Sequence, residues 1–464
     1  MNITIEDILS IKHSAHIGFK SLSPARKINH VSTDSRSVKK GDLFIALRGE
    51  NFDGHEFIQH VQEKGATAAI VDEKWKKKNR KKYKLPLIVV KNTLDAYGAI
   101  ANLFRNKFSI PIILVAGSNG KTTMKEVISH VLGTSFNVLK TEANYNNQVG
   151  LPRMLLQLTP QHEFAVLEIG TNHPGEIEWL TQVAQPTHGI ITNIGREHLE
   201  FFKNLRGVAK EELALFDYLA STEDGVAFIN MDDPFLAGQG KRMLSDYRLY
   251  GRGTGASGRK MGYSSNGLMK IGIELDGKSF VVHSHLVSEY APSLYAAVAK
   301  VASEFGLSIA KIKQALGSFV PYSKRMEILK IHGAVIINDC YNANPESFYS
   351  ALETLKQIPS KGKKYVVAGD MFELGATSKR EHRLLGVQMA KYKFNGHFFT
   401  GNAMKQTFAA LLQTNTKLHA EYDSEKSAIG ESLSQILKKG DIVLIKGSRG
   451  MKMETILEQL RTTN

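Results

Sequence analysis

The chain has 464 residues, which at roughly 150 residues per domain predicts about three domains. With 42% apolar and 23% charged residues, 39 Gly and 12 Pro, it is the composition of a folded globular protein, and it excludes disordered and collagen-like classes. The formal net charge of +15 fits a nucleic-acid binder or an enzyme that handles anions.

The first block, residues 1–108, opens on a short helix and continues in short strands and loops. Its start, MNITIEDILS, lacks the basic and long apolar segments of a secretory leader. Asp42–Leu47 reads as a strand, about 55–64 as a helix, Ala68–Val71 and Pro86–Val90 as buried strands, and about 93–107 as a helix. Between the last two strands, residues 74–84 hold eight positive charges and no acid, so the remainder of the chain carries +7. Such a run reads first as a solvated loop. A nucleic-acid or membrane patch is the alternative, and no reading motif accompanies it.

The second block, 109–320, starts with Ile110–Ala116, a continuous apolar run that fits a strand buried on both faces of a parallel sheet. A helix is expected over about 122–132, strands over 164–169 and 188–193, and a closing helix over about 292–305. Alternating strands and helices mean an α/β fold with right-handed crossovers. The Gly- and Ser-rich stretch 251–266 reads as a loop with short strands after it. The third block, 321–464, has strands at 335–339, 365–370 and 442–447, each ending in polar or Gly residues. Strand tips of this kind build sites at the carboxyl edge of open α/β sheets. No run of about 18 apolar residues occurs, so no membrane-spanning helix is expected. The single cysteine, Cys340, excludes an internal disulfide and points to a reducing cytosol.

Between the apolar strand and the next helix lies Gly117-Ser118-Asn119-Gly120-Lys121-Thr122-Thr123. Glycines let backbone N–H groups turn inward around phosphate oxygens. Lys121 reaches the terminal phosphates, the Thr122 hydroxyl suits Mg²⁺, and the helix N-terminus favours an anion. The usual first Gly of such a loop would fall at Val115, so the spacing alone leaves a structural turn as the alternative. Glu168 ends a strand, where a carboxylate suits Mg²⁺ or a capping role. His198 also follows a strand, where a lone histidine is ordinarily structural.

Taken together, these segments resemble the Mur ligase family, in its D-alanyl-D-alanine-adding (MurF) type. The resemblance spans nearly the whole chain. It rests on Ser32–Arg36, Gly41–Gly49 and Phe52–His55 in block one, and on Gly117–Thr123, Asn144–Pro152 and Glu168–Glu176 in block two. In block three it rests on Asn338–Pro345, Gly369–Gly375 and Lys446–Glu454. It implies an α/β protein of three domains: a small α/β UDP-sugar domain, a central parallel sheet carrying the phosphate loop with flanking helices, and a C-terminal Rossmann-like domain that brings the dipeptide and closes. The implied reaction uses ATP and Mg²⁺ to activate the carboxylate of UDP-N-acetylmuramoyl-tripeptide as an acyl phosphate, which the amine of D-Ala-D-Ala attacks. The implied setting is cytoplasmic peptidoglycan precursor synthesis by a monomer.

By position, the resemblance assigns Lys121 to the β/γ-phosphates and Thr122 and Glu168 to a first Mg²⁺. It assigns His198 to a second Mg²⁺, Arg325 to a phosphate and Asp339 to the ribose. Ser35, Arg36 and Arg48 fall near the UDP group, and Asn146 and Asn147 near the reacting end of the tripeptide. Lys446, Ser448 and Arg449 are candidates for the dipeptide carboxylate, or for capping and interdomain contacts. The chain departs from the family twice. Where the family has a carbamylated lysine near the second metal, four residues before an aromatic, this chain has Glu212 before Phe216; it is expected to replace that carboxylate without CO₂, with a water bridging its shorter stem to the metal, and a weakened metal site is the alternative. Where the family has Asn-x-x-Asn beside adenine, this chain has Ala291 and Leu294, so weaker or less selective nucleotide binding is expected. The departures leave a rival reading, a catalytically impaired relative that binds UDP-muramoyl peptide or nucleotide without ligating. Another Mur ligase or a folylpolyglutamate-type ligase is a further alternative.

Overall fold

A computed structural model describes residues 2–11, 14–49, 52–79, 83–243, 246–264, 268–321 and 324–462. Arg80–Lys82 of the basic run, Ser265 and Asn266 of the Gly/Ser-rich stretch, and Tyr322 and Ser323 before Arg325 lie outside these residues.

Strands β1 (Ile3–Thr4) and β3 (Lys27–Ile28) form a ribbon. A five-stranded sheet follows, of β2 (Ala15–Ile17), β4 (Val31–Ser32), β5 (Leu43–Ile45), β6 (Ala68–Asp72) and β7 (Leu87–Val90). Its order is β2-β7-β6-β5-β4, parallel except for β2. The basic run is not simply a loop: Glu73–Lys78 is helical. Asp72 caps it by accepting the Trp75 N–H at 2.6 Å, and Lys76, Lys77 and Lys78 sit in its last turn, where cations suit the helix dipole. The helix Thr93–Arg105 ties this sheet to the next part of the chain. Its buried Arg105 donates to the carbonyls of Ala184 and Gln185 at 2.8 and 2.9 Å.

The central sheet is wholly parallel: β8 (Ile112–Ala116), β9 (Val138–Lys140), β10 (Phe164–Glu168), β11 (His188–Ile191), β12 (Val226–Asn230) and β13 (Tyr247–Tyr250). The order β13-β12-β11-β8-β10-β9 puts β8 where the winding reverses. Loops after β8, β10 and β11 therefore part and open a crevice at the carboxyl edge. Every residue of β8 is fully buried, as its unbroken apolar run requires. Helices α1 (Lys121–Leu132), α2 (Glu176–Ala184) and α3 (Leu205–Ala220) cover the sheet.

The stretch expected as a loop contains a strand, β14 (Ala256–Tyr263), antiparallel to β15 (Met269–Leu275), which pairs with β16 (Lys278–Ser284). This small sheet packs on α4 (Ala291–Glu304) through Ile271, Ile273, Val282, Leu294 and Tyr295. A Cβ on Gly258 would overlap Pro292 backbone, so this glycine serves close packing, not flexibility.

The last sheet holds β17 (Glu327–Ile331), β18 (Ala334–Asp339), β19 (Lys364–Gly369), β20 (Gly396–Thr400), β21 (Ala420–Tyr422) and β22 (Ile442–Lys446). Its order is β17-β18-β22-β19-β20-β21, parallel except for β17. Side chains alternate between two cores, Ile337 and Leu444 against Phe348 on one face, Ile336 and Val443 against Ile456 on the other. Helix α5 (Pro345–Gln357) begins at a reciprocal cap: Asn344 accepts the Ser347 N–H at 2.9 Å, and Ser347 Oγ accepts the Asn344 N–H at 3.0 Å.

Candidate active site

A cleft of about 450 Å³ lies between the carboxyl edge of the central sheet and that of the last sheet. The turn out of β8 forms one wall. Gly117 has φ of +108°, and a Cβ there would stand 2.7 Å from the Thr192 backbone N, so only glycine fits. Gly120, at φ +82°, caps α1. The loop is stapled to the segment after β11: Ser118 N–H donates to Asn193 O at 2.9 Å, and Asn193 Nδ2 to Asn119 O at 3.0 Å. Gly195 N–H donates to Ser118 Oγ at 2.8 Å. The loop is thus shaped before any phosphate arrives.

Lys121 Nζ donates to Gly117 O at 2.5 Å and lies 3.5 Å from Glu197 Oε2. Burial works against the charge on this amine. The carboxylates of Glu197, Glu212 and Glu168 outweigh burial and hold its pKa above the usual lysine range, so it stays cationic. Glu212 is fully buried behind the loop and does not line the cleft. Its Oε2 accepts the Gly117 N–H at 2.7 Å. Burial, then the charge of Glu197, raises its pKa well above the carboxylate range.

Glu168, at the tip of β10, accepts from Asn146 Nδ2 at 2.9 Å, and its buried Oε2 has no partner among the described residues. Asn146 and Asn147 both line the cleft. Asn147 Oδ1 is also engaged locally, accepting the N–H groups of Val149 and Gly150 at 3.1 and 2.8 Å. The segment after Glu168 is held from behind by Glu211, which accepts Gly175 N–H at 2.8 Å and Ile177 N–H at 2.9 Å.

Among the described residues, no three His, Cys, Asp or Glu side chains converge as a ready-made metal cage. The donors present still fit Mg²⁺, which binds through one or two carboxylates together with substrate phosphates and water. Glu168 offers an unpartnered buried oxygen, and Thr122 stands in the first turn of α1 on the same cleft. His198 adopts a left-handed backbone, φ +47°, and its Nδ1 lies 3.0 Å from Glu373 Oε2. That pairing lowers the Glu373 pKa and leaves Nε2 outside the pair.

The opposite wall comes from the last sheet. Asp339 accepts from Lys446 Nζ at 2.6 Å and from Met326 N–H at 3.2 Å. The Arg325 guanidinium stacks 3.7 Å over the Tyr341 ring. Arg325, Asp339 and Lys446 line the cleft; Ser448 and Arg449 do not. Ser448 is buried, accepting Phe372 N–H at 2.9 Å, and Arg449 is exposed and pairs with Glu454 at 3.3 Å. Part of the lining is apolar: Leu286, Ala291 and Leu294, with Ser288 and Tyr290 from the same segment, and Ala351 with Ser347 and Ser350 from α5, where Tyr290 bonds Ser350.

Ser35, Arg36 and Arg48 are away from this cleft, in the first sheet's region. Arg36 is engaged by Asp34 at 2.8 Å, and Arg48 by Asp72 at 2.8 Å and Asp53 at 3.1 Å. Sequence reasoning passed over Arg196 and Glu197, although they adjoin His198. It also passed over Glu373 and Asn344. Their signal was available only as charge beside a singled-out histidine and as an Asn-Pro helix start.

Comparison with known proteins matches three family models: the Mur ligase family catalytic domain over residues 27–105, the Mur ligase middle domain over 115–301, and the Mur ligase glutamate ligase domain over 324–449. The UDP-N-acetylmuramoyl-tripeptide–D-alanyl-D-alanine ligase of Bacillus subtilis is 32% identical over 93% of each chain. That of Escherichia coli is 30% identical over 94% of each. A solved structure of MurF from Acinetobacter baumannii superposes with a TM-score of 0.87 at 28% identity, covering 99% of this chain and 98% of that one. MurF ligase from Thermotoga maritima in complex with ADP gives 0.84 at 28% identity, covering 94% and 97%.

Proposed function

The chain belongs to the Mur ligase family, and from that membership we infer that it is the ATP-dependent ligase that adds D-alanyl-D-alanine to UDP-N-acetylmuramoyl-tripeptide in peptidoglycan precursor synthesis. The observation that carries the reading is what one cleft brings together. A lysine kept charged in a phosphate loop, a strand-tip carboxylate with an open oxygen and the tips of a second sheet all face it.

We divide the work among three segments. Residues 1–108 hold the UDP-sugar, 109–320 hold ATP, and 321–464 bring the dipeptide and close. Lys121 and the N–H groups in the first turn of α1 hold the β/γ-phosphates and withdraw charge as the tripeptide carboxylate oxygen attacks the γ-phosphorus and ADP leaves. Asn146 and Asn147 hold that carboxylate in line. The dipeptide amine then attacks the acyl carbon, phosphate departs, and an amide remains. Holding both reactants in one cleft supplies the positioning that this chemistry needs. Closure of the last segment keeps water from the acyl phosphate. Thr122 and Glu168 would hold Mg²⁺, with His198 Nε2 toward a second ion; the metal supplies charge neutralisation at the phosphoryl oxygens. Arg325 is assigned to a phosphate and Asp339 to the ribose. We assign the enzyme to the cytoplasm, where ATP and the UDP-linked substrate are found, and to a monomeric state. No helix among the described residues is long and apolar enough to cross a membrane.

The test is ADP release by the purified protein with UDP-muramoyl-tripeptide, with and without D-Ala-D-Ala. Dipeptide-dependent ADP and the amide product are expected. Their absence would overturn the reading.

A further inference from the structure

Helix α3 carries two buried carboxylates in succession, Glu211 and Glu212. Neighbours on an α-helix point about 100° apart, so the two reach different loops. Glu212 holds the N–H of Gly117, the first residue of the phosphate loop, at 2.7 Å. Glu211 holds the N–H groups of Gly175 and Ile177 at 2.8 and 2.9 Å and the Thr171 hydroxyl at 3.3 Å. That second loop follows Glu168, and its Thr171 and Asn172 line the cleft. Neither carboxylate lines the cleft itself.

We propose that Glu211 and Glu212 are positioning residues that set the separation of the two loops, and with it the distance over which the phosphoryl group passes. The proposal rests on the ligase reading above for its substrates, but the placement of the phosphate loop is readable by nucleotide binding alone. The surroundings of the two side chains differ. Among the described residues Glu212 Oε1 meets no donor and faces Glu197, whose own Oε1 is also without a donor and whose Oε2 is the carboxylate oxygen nearest Lys121. An amide at position 212 therefore fits: its oxygen accepts from Gly117 and its NH₂ donates to Glu197. An amide at 211 does not fit, because each carboxylate oxygen there already accepts a backbone N–H, and the NH₂ would face one of them.

The experiment compares Glu212→Gln, Glu212→Leu and Glu211→Gln in the full-length protein. It reads ADP affinity by calorimetry, KM for each substrate, kcat, and the thermal midpoint. Glu212→Gln is expected to keep ADP affinity and the KM for ATP within about threefold of wild type. Glu212→Leu is expected to weaken both by about tenfold or more while leaving the KM for tripeptide unchanged. Glu211→Gln is expected to lower kcat or raise the KM for tripeptide by about tenfold with ADP affinity unchanged. The proposal is overturned if Glu212→Gln is as damaging as Glu212→Leu and needs more Mg²⁺, which would assign the charge itself to the metal. It is equally overturned if all three variants lose affinity for every ligand in step with the thermal midpoint, the mark of a merely structural role. If wild type binds ADP but ligates nothing, the functional reading fails, and the two Glu212 variants still decide the phosphate-loop half through ADP affinity.

Discussion

Asn344 donates its side-chain amide to Asn119 Oδ1 at 2.9 Å, joining the cap of α5 in the last segment to the phosphate loop of the central one. Arg196 makes a second joint nearby, reaching Glu346 at 2.6 Å and the buried Glu381 at 3.2 Å. These contacts hold the two sheet edges face to face around the cleft.

Removing the second joint should loosen closure. Arg196→Ala leaves Glu381 without its cation, at a cost of about 2 kcal/mol to the closed form. The expected outcome is a larger radius of gyration by solution scattering and a KM for D-Ala-D-Ala raised by about tenfold. Unchanged scattering and KM would show that the joint does not govern closure.

The apolar part of the cleft lining predicts weak base discrimination. We place the purine between Leu286, Ala291 and Leu294 on one side and Ser347, Ser350 and Ala351 on the other. The side-chain polar groups named in that part, Ser288 and Tyr290 included, are hydroxyls, which donate or accept alike and so do not separate an amino from a keto group at the purine 6-position. KM values for ATP and GTP should agree within about tenfold, since a pocket without dedicated hydrogen-bond partners discriminates weakly. A preference of about a thousandfold for ATP would contradict this.

Acid should destabilise the last segment through His397. It is fully buried in β20, and burial holds its pKa down at about 4, against 6.5 for an ordinary histidine. A folded-state pKa below the unfolded one gives stability that is complete above pH 6.5 and is lost as pH falls toward 4. The loss amounts to about 3 kcal/mol at the lower end. Denaturant titrations followed by circular dichroism from pH 7 to pH 4.5 should show it, and His397→Leu should flatten that slope. An equal slope in the variant would remove His397 as the cause.

Cys340 should be inert in the native protein. It has no exposed surface, and burial, aided by the charges of Asp339 and Glu454, pushes its thiol pKa up to about 12. A colorimetric thiol reagent should find one reactive group after denaturation and none before it. Rapid labelling of the native protein would show that this segment opens.

Much of the site was legible because its signals are local. The phosphate loop announces itself by glycines and a Lys-Thr pair between an apolar strand and a helix, and α5 by Asn344 before Pro345. What escaped depends on partners distant in sequence. Gly258 reads as a flexible residue until Pro292 is seen packed against it. The helix Glu73–Lys78 is the exception: its cap, Asp72, is adjacent in sequence, and the run of like charges after it reads as a solvated loop. Glu212 reads as a carboxylate for the metal until its bond to the Gly117 N–H is seen to hold it behind the loop. Position in a motif leaves the direction of the side chain open.

The adjacency of Glu211 and Glu212 also fixes where the gene can tolerate length changes. One residue inserted in α3 between Leu205 and Glu211 would rotate both carboxylates by about 100° relative to the helix start. Either the first turn is lost or both loops are released together, so a single insertion there acts as a double lesion. The same insertion in the turn at Ser221–Asp224, beyond the helix, leaves both attachments in register.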